Sequence, residues 1–368
     1  MKKFSFKDPI QRREFLRGGV RYGMLAGLAA AAARAVSNGG GRLADQTCTN
    51  KGICDGCVEY PACELPQALS ARQAKAAPNS GGAYEEILRI PGSDTPSLHL
   101  EIGPDDRLYL ATGNAIIVMS QEGVREREIA LEAQARCVAV AKDGTLFAGL
   151  RDHVEVFDPK GARIAMWESP GPRTWLTGLA VGESDLFAAD AGGRVVLRYD
   201  LAGKLVGRIG EKNEERDIPG FVIPSPYFSV RIHPDGLLRV NNPGRHRVEA
   251  YTFEGEFAGA WGKASGLIDG FCGCCNPTRI ALLPDGRMVT CEKGMPRVKI
   301  YSITGEFESV VAPAAAFPKN VKVGPGERSI GASLVGVAAA TDSRGRIAIL
   351  DHITGEIRIL QPTALGRV

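Results

Sequence analysis

Cys48, Cys54, Cys57 and Cys63 fall within sixteen residues in the pattern C-x5-C-x2-C-x5-C, four of the nine cysteines in the chain. Thiolates at this spacing can wrap one tetrahedral or cubane centre, because Gly52 and Gly56 let the backbone curl and Pro61 breaks any helix. Three chemistries compete for the quartet: an iron–sulfur cluster, two disulfides, or a structural zinc ion. If a cluster is present, four sulfurs leave no open iron position for substrate, and its role is electron transfer. The spacing differs from the ferredoxin C-x2-C-x2-C-x3-C-P run.

A second set of sulfurs lies far along the chain, at Cys272, Cys274, Cys275 and Cys291. A two-residue turn at Asp285-Gly286 would pair Cys291 opposite Ile280 and bring it within about 10 Å of the Cys272–Cys275 loop. This set reads as a site for zinc or another metal, a redox-active disulfide, or a staple on a long loop. A vicinal Cys274–Cys275 bond would be strained and easily reduced, which favours a redox role. Cys137, on an apolar stretch, reads as a buried small hydrophobe.

Upstream of the first quartet, Gln11-Arg12-Arg13-Glu14-Phe15-Leu16-Arg17 resembles the twin-arginine export signal. It is followed from Gly18 to Val36 by a weakly apolar stretch, and Ala33-Arg34-Ala35 fits a small-x-small cleavage pattern. The resemblance implies a periplasmic protein that folds before export, often because a cofactor must be inserted first. That favours an iron–sulfur cluster at the quartet, with a protein redox partner. Membrane association would come only through an uncleaved signal or through a partner. Residues 1–36 are thus read as the signal, and 37–83 as a cysteine-rich segment with a linker rich in Ala, Gln, Pro, Ser and Gly.

Composition sets the remaining bounds. The chain has 368 residues with 45 glycines and 22 prolines, an excess that points to many turns. It contains no run of 18 uncharged apolar residues of the kind a transmembrane helix needs. The formal charge of +3 conceals a split, since Met1 to Val36 holds eight basic residues against two acidic ones and carries +6, leaving −3 on the rest. A mildly acidic body with 7% aromatic residues gives no electrostatic reason to expect nucleic-acid binding.

From Tyr84 to Pro362 one pattern recurs: strand, Asp/Gly turn, strand, polar loop, strand, Gly turn, strand. First turns fall at Asp105-Asp106, Asp143-Gly144, Glu183-Ser184, Asp235-Gly236, Asp285-Gly286 and Ser343-Arg344. Second-turn glycines fall at Gly123, Gly161, Gly203, Gly255, Gly305 and Gly355. Six units of about 40–50 residues with four short strands each predict an all-β fold, a six-bladed β-propeller over residues 84–362 with a short tail at 363–368. The last unit ends after three strands. The missing outer strand is expected from Glu85 to Ile90, which would close the ring and remove an exposed edge.

Asn276-Pro277-Thr278-Arg279-Ile280-Ala281-Leu282-Leu283-Pro284-Asp285-Gly286-Arg287-Met288-Val289-Thr290, with Arg297 to Phe307 after it, resembles an NHL repeat. Related wording occurs at Tyr227–Phe257 and more loosely at Thr174–Val206. This resemblance implies the same propeller and leaves the activity open, because the family includes binding platforms, lyases and hydrolases.

In such a blade the loop entering the innermost strand and the loop between the second and third strands share a rim. That rim is expected to carry Asn114, Arg151-Asp152-His153, Asp190, Asn241-Asn242, Glu292-Lys293 and Asp351-His352. These groups read either as a metal or ligand site around a channel, or as wiring by the pairs Asp190–Arg194, Asn242–Arg247 and Glu292–Arg297. A gluconolactonase-like site is only superficially suggested by Glu101-Ile102-Gly103-Pro104, which has an insertion and lacks the Trp. An electron-transfer or scaffold subunit is the leading reading. A metal-dependent hydrolase or lactonase, and a disulfide-bonded binding module, are the alternatives.

Overall fold

Strand-forming residues alternate with turn glycines throughout the body, and the computed structural model turns this pattern into 24 short strands. It describes residues 63, 68, 83–92, 95–317 and 336–363. The export signal, Cys48, Cys54, Cys57 and the tail after 363 lie outside the described residues.

The strands form six four-stranded antiparallel sheets. Blade one is β2 (Ser97–Ile102) to β5 (Arg125–Ala130), and blade two is β6 (Cys137–Val140) to β9 (Arg163–Met166). Blade three runs from β10 (Leu176–Val181) to β13 (Leu205–Ile209), and blade four from β14 (Val230–Ile232) to β17 (Phe257–Trp261). Blade five comprises β18 (Arg279–Leu282), β19 (Met288–Cys291), β20 (Val298–Tyr301) and β21 (Phe307–Ala312). Blade six takes β22 (Val337–Thr341), β23 (Ile347–Asp351) and β24 (Ile357–Pro362) from the end of the chain, and its outer strand is β1 (Tyr84–Ile90) from the start of the body. The expected closure is therefore present, with Tyr84 opposite Pro362 and Ile90 opposite Ile357.

Inner strands touch in the order β2, β6, β10, β14, β18, β22 and back to β2, so the result is a closed six-bladed β-propeller. Each of the six gaps between blades holds one apolar cluster, for example Val248, Phe271, Ile280, Met288 and Tyr301 between blades four and five. Sheets covered on both faces explain why middle strands such as β19 and β20 are buried along their whole length, whereas the outer β17 alternates half-buried and exposed residues.

Two local expectations are corrected. The turn between β18 and β19 has three residues, not two: Leu283 N–H bonds to Arg287 O, and Gly286 sits at φ +88°. This is a type I turn closed by a left-handed residue, and the extra residue shifts the register by one. Cys291 consequently faces Arg279, and Ile280 faces Thr290. The second correction concerns Gly355, which lies between the second and third strands of blade six, where its N–H bonds to Asp351 O. The outer strand of that blade comes from the other end of the body.

The other five second-turn glycines share a role that sequence spacing did not disclose. A Cβ at Gly123, Gly161, Gly203 or Gly305 would press on Ile90, Ile129, Trp167 or Trp261, and one at Gly255 would make ordinary contact with Ile209, each of these belonging to the outer edge of the preceding blade. The turn of one blade thus seats on a large residue of its neighbour.

Candidate functional site: the blade-five rim and the channel mouth

The loop from Trp261 to Arg279 enters blade five, and a fully buried charge cluster holds it. Glu292, directly after β19, lies 2.6 Å from Arg297 and 2.8 Å from Lys299, all three without solvent exposure. Lys299 Nζ also donates to Ile268 O and Gly270 O at 3.0 and 2.8 Å, tying the loop to the blade. Burial pushes the Glu292 carboxyl upward, but Arg297 and Lys299 outweigh it and hold the group below its ordinary pKa. Lys299 is pulled down to about 8 by the same burial, against the attraction of Glu292. Of the three expected wiring pairs, Glu292–Arg297 forms as an ion pair. Asp190 instead accepts the backbone N–H groups of Trp175, Gly192 and Gly193 at 2.8, 3.0 and 2.9 Å. Asn242 and Arg247 both turn to the buried Glu249, at 2.9 and 2.6 Å.

The sulfurs of this loop take three different environments. Cys272 Sγ sits in the charge cluster, 3.9 Å from Glu292 Oε2 and 3.7 Å from Arg297 Nη2. Its pKa is raised, by burial first and by Glu292 second. Cys274 and Cys275 place their Sγ atoms 3.0 Å apart, and Cys274 is exposed. The hydrogen bond with Cys275 and then burial raise the Cys274 pKa. Cys291 belongs to the apolar gap between blades five and six, and burial pushes its thiol to about 12. Neighbouring residues on a strand point to opposite faces, so Glu292 meets Cys272 while Cys291 turns to the other side. Cys137 is buried in the gap between blades two and three and is likewise raised to about 12. Thiols held this high are protonated and unreactive near neutrality. Among the described residues, no group of three or more His, Cys, Asp or Glu lies so as to hold a metal ion.

Cys63, the one described member of the early quartet, is half-buried against this same rim. It packs with Ala68, Cys272, Met295 and Ala314 in a small apolar cluster outside the six inter-blade cores. The two cysteine-bearing parts of the sequence therefore meet in space, a juxtaposition that no spacing rule indicates.

The mouth of the channel lies on the same rim. Arg279, the first residue of β18, reaches across the axis and donates to Thr177 O of blade three and Leu98 O of blade one, both at 3.2 Å. Its Nε is buried without a hydrogen-bond partner. Arg231 pairs with Glu101 at 2.8 Å. His99 and Arg279 line a void with Arg231, Ser229 and Ala338, and the void has room for about one water-sized group, about 10 Å³. His99 is 3% exposed, and its Nδ1 has no partner. Burial, then Arg279, pushes His99 well below its ordinary pKa; the same causes, in the same order, lower His352 to about 4.

Around the mouth, Arg136 and Arg151 lie over the Trp175 ring at 4.4 and 5.2 Å, and Lys293 lies over Tyr227 at 4.5 Å. Several carboxylates and amides of the rim are engaged elsewhere, while Asn114 is exposed and lines the groove between blades six and one. Asp351 accepts the N–H groups of Ile353 and Thr354, Asn241 spans Ser229 and Pro277, and Asp152 bonds His153 at 2.9 Å. Sequence reading assigned no role to Arg279, Arg136, Trp175 or His99 at this mouth; their one shared signal is position at the entry to an inner strand. A larger groove of about 510 Å³ lies between blades six and one, lined in part by Leu110, Met119 and Ile357, and its charged residues Arg125 and Glu128 pair with each other.

No protein-family model matches the chain, and no curated protein matches it. Solved structures do. A virginiamycin B lyase from Staphylococcus aureus is similar over 76% of this chain and 99% of its own, with 13% identity and a TM-score of 0.51. A streptogramin B lyase is similar over 76% of this chain and 97% of its own, with 14% identity and a TM-score of 0.51. A catalytically inactive variant of the S. aureus lyase with quinupristin gives 76%, 98%, 14% and a TM-score of 0.50. At these identities the likeness concerns the fold alone.

Proposed function

We propose that this chain is an exported, periplasmic docking subunit of an electron-transfer assembly, in which the propeller offers a rigid face and the N-terminal cysteine segment holds an iron–sulfur cluster. The supporting observation is the packing of Cys63 and Ala68 against Cys272 and Met295, which seats this part of the segment on the blade-five rim. The donor set suits such a group. Cys48, Cys54, Cys57 and Cys63 are soft ligands in close succession, and Cys63 stands against an apolar wall, where low polarity shifts a cluster's potential. A cluster would supply one-electron transfer. The chain's own part is to hold it, shield one side and present the other to a protein partner. The buried Glu292–Arg297–Lys299 cluster keeps the receiving loop in place.

A hydrolase using rim Asn, Asp and His residues has less support, because Asp190, Asp351, Asn241 and Asn242 spend their polar atoms on the fold. The test is iron and acid-labile sulfide content of the full chain, purified without oxygen from cells that assemble such clusters. Iron and sulfide are expected in the native protein and are expected to fall sharply in Cys63→Ser. An iron-free native preparation with these cysteines joined as disulfides overturns the reading.

A further inference from the structure

We propose that the channel mouth is a binding site for a small carboxylate-bearing ligand, whose carboxylate docks on Arg279 with one oxygen in the water-sized void beside His99. The argument begins with the charge balance. Burying a cation is costly unless it is paired, and native proteins supply the counter-charge from a neighbour or a ligand. Arg231, in the same void, has Glu101. Arg279, half-buried as a residue, has two carbonyls and a buried Nε–H with no partner, and among the described residues no carboxylate lies within ion-pair distance of it.

A second, independent observation comes from His99. Its Nδ1 is buried and unpartnered, and the residue lines the same void as Arg279, so two residues with an unmet polar group, from blades one and five, meet there. Tyr227, Lys293, Arg136, Arg151 and Trp175 extend the positive and aromatic character outward from the mouth. Arginine with aromatic rings is the combination that receives a planar anion with an apolar body. The void has room for one oxygen of the head group, and the rings and cations outside it favour a planar carboxylate with an apolar body over a phosphate. This site uses none of the cysteines and is independent of any cluster.

The experiment is calorimetric titration of the full-length protein with benzoate, with benzamide as the uncharged isostere and inorganic phosphate as the alternative anion. Benzoate is expected to bind saturably, at least tenfold more tightly than benzamide or phosphate. Arg279→Gln is expected to weaken benzoate at least tenfold. Because Arg279 also ties two inner strands, Arg136→Gln serves as the second variant, expected to weaken benzoate several-fold with an unchanged melting curve. No saturable benzoate binding, equal binding of benzamide, or preference for phosphate overturns the proposal.

Discussion

Glu292 shows how a single residue can be both costly and indispensable. It is buried with Arg297 and Lys299, so the two cations depend on one carboxylate for neutralisation. Removing one member of a buried ionic cluster strands the others and typically costs about 3–5 kcal/mol, more than the cluster contributes relative to apolar packing. Glu292→Gln is expected to lose that amount in urea unfolding. Combining it with Arg297→Met should cost less than the sum of the single variants, by about 0.5–3 kcal/mol, since contacting residues are coupled. Strict additivity would mean that the two groups do not depend on each other.

At the scale of the element, the blades are registered by turns that sit on their neighbours. Gly203 combines a φ of +93° with a position where an added Cβ would lie 2.5 Å from the Trp167 ring. Trp167 has little room to yield, being packed between Phe147 and Tyr199 at centroid distances of 5.7 and 5.2 Å. Gly236 provides the control, with a φ of +83° and nothing within 4 Å of the place a Cβ would take. Gly236→Ala should cost about 1 kcal/mol from backbone conformation alone. Gly203→Ala should add about 1–3 kcal/mol of overpacking to that cost. Urea midpoints decide the matter, and equal losses would remove the inter-blade role of the turn.

The whole ring creates an environment that no blade has alone. Inner strands from six blades bury His99 and place His352 beside Arg279, and both imidazoles favour the neutral form. For His352 the pKa is 6.5 in the unfolded chain and about 4 in the folded ring, so between these values the unfolded chain binds more protons. The associated stability is present above pH 6.5 and is lost as pH falls through about 4. Unfolding midpoints measured between those limits should decline in the native protein and decline less steeply in His352→Asn. Identical slopes would exclude this histidine as a source of acid sensitivity.

Blade number, the closing strand and the positions of most turns were readable from residue order because they rest on short-range physics: alternation of apolar side chains and the need for left-handed residues in tight turns. Errors arose where one residue of loop length mattered, as at Gly286, whose three-residue turn moved Cys291 from Ile280 to Arg279. The sites depended on longer reach. Arg279 meets Thr177 and Leu98 across 102 and 181 residues of chain, and Cys63 joins Cys272 in one apolar cluster. Which charges find partners and which remain unmet was decided only by closure of the ring, since burial belongs to the assembled sheets and to no segment of the chain.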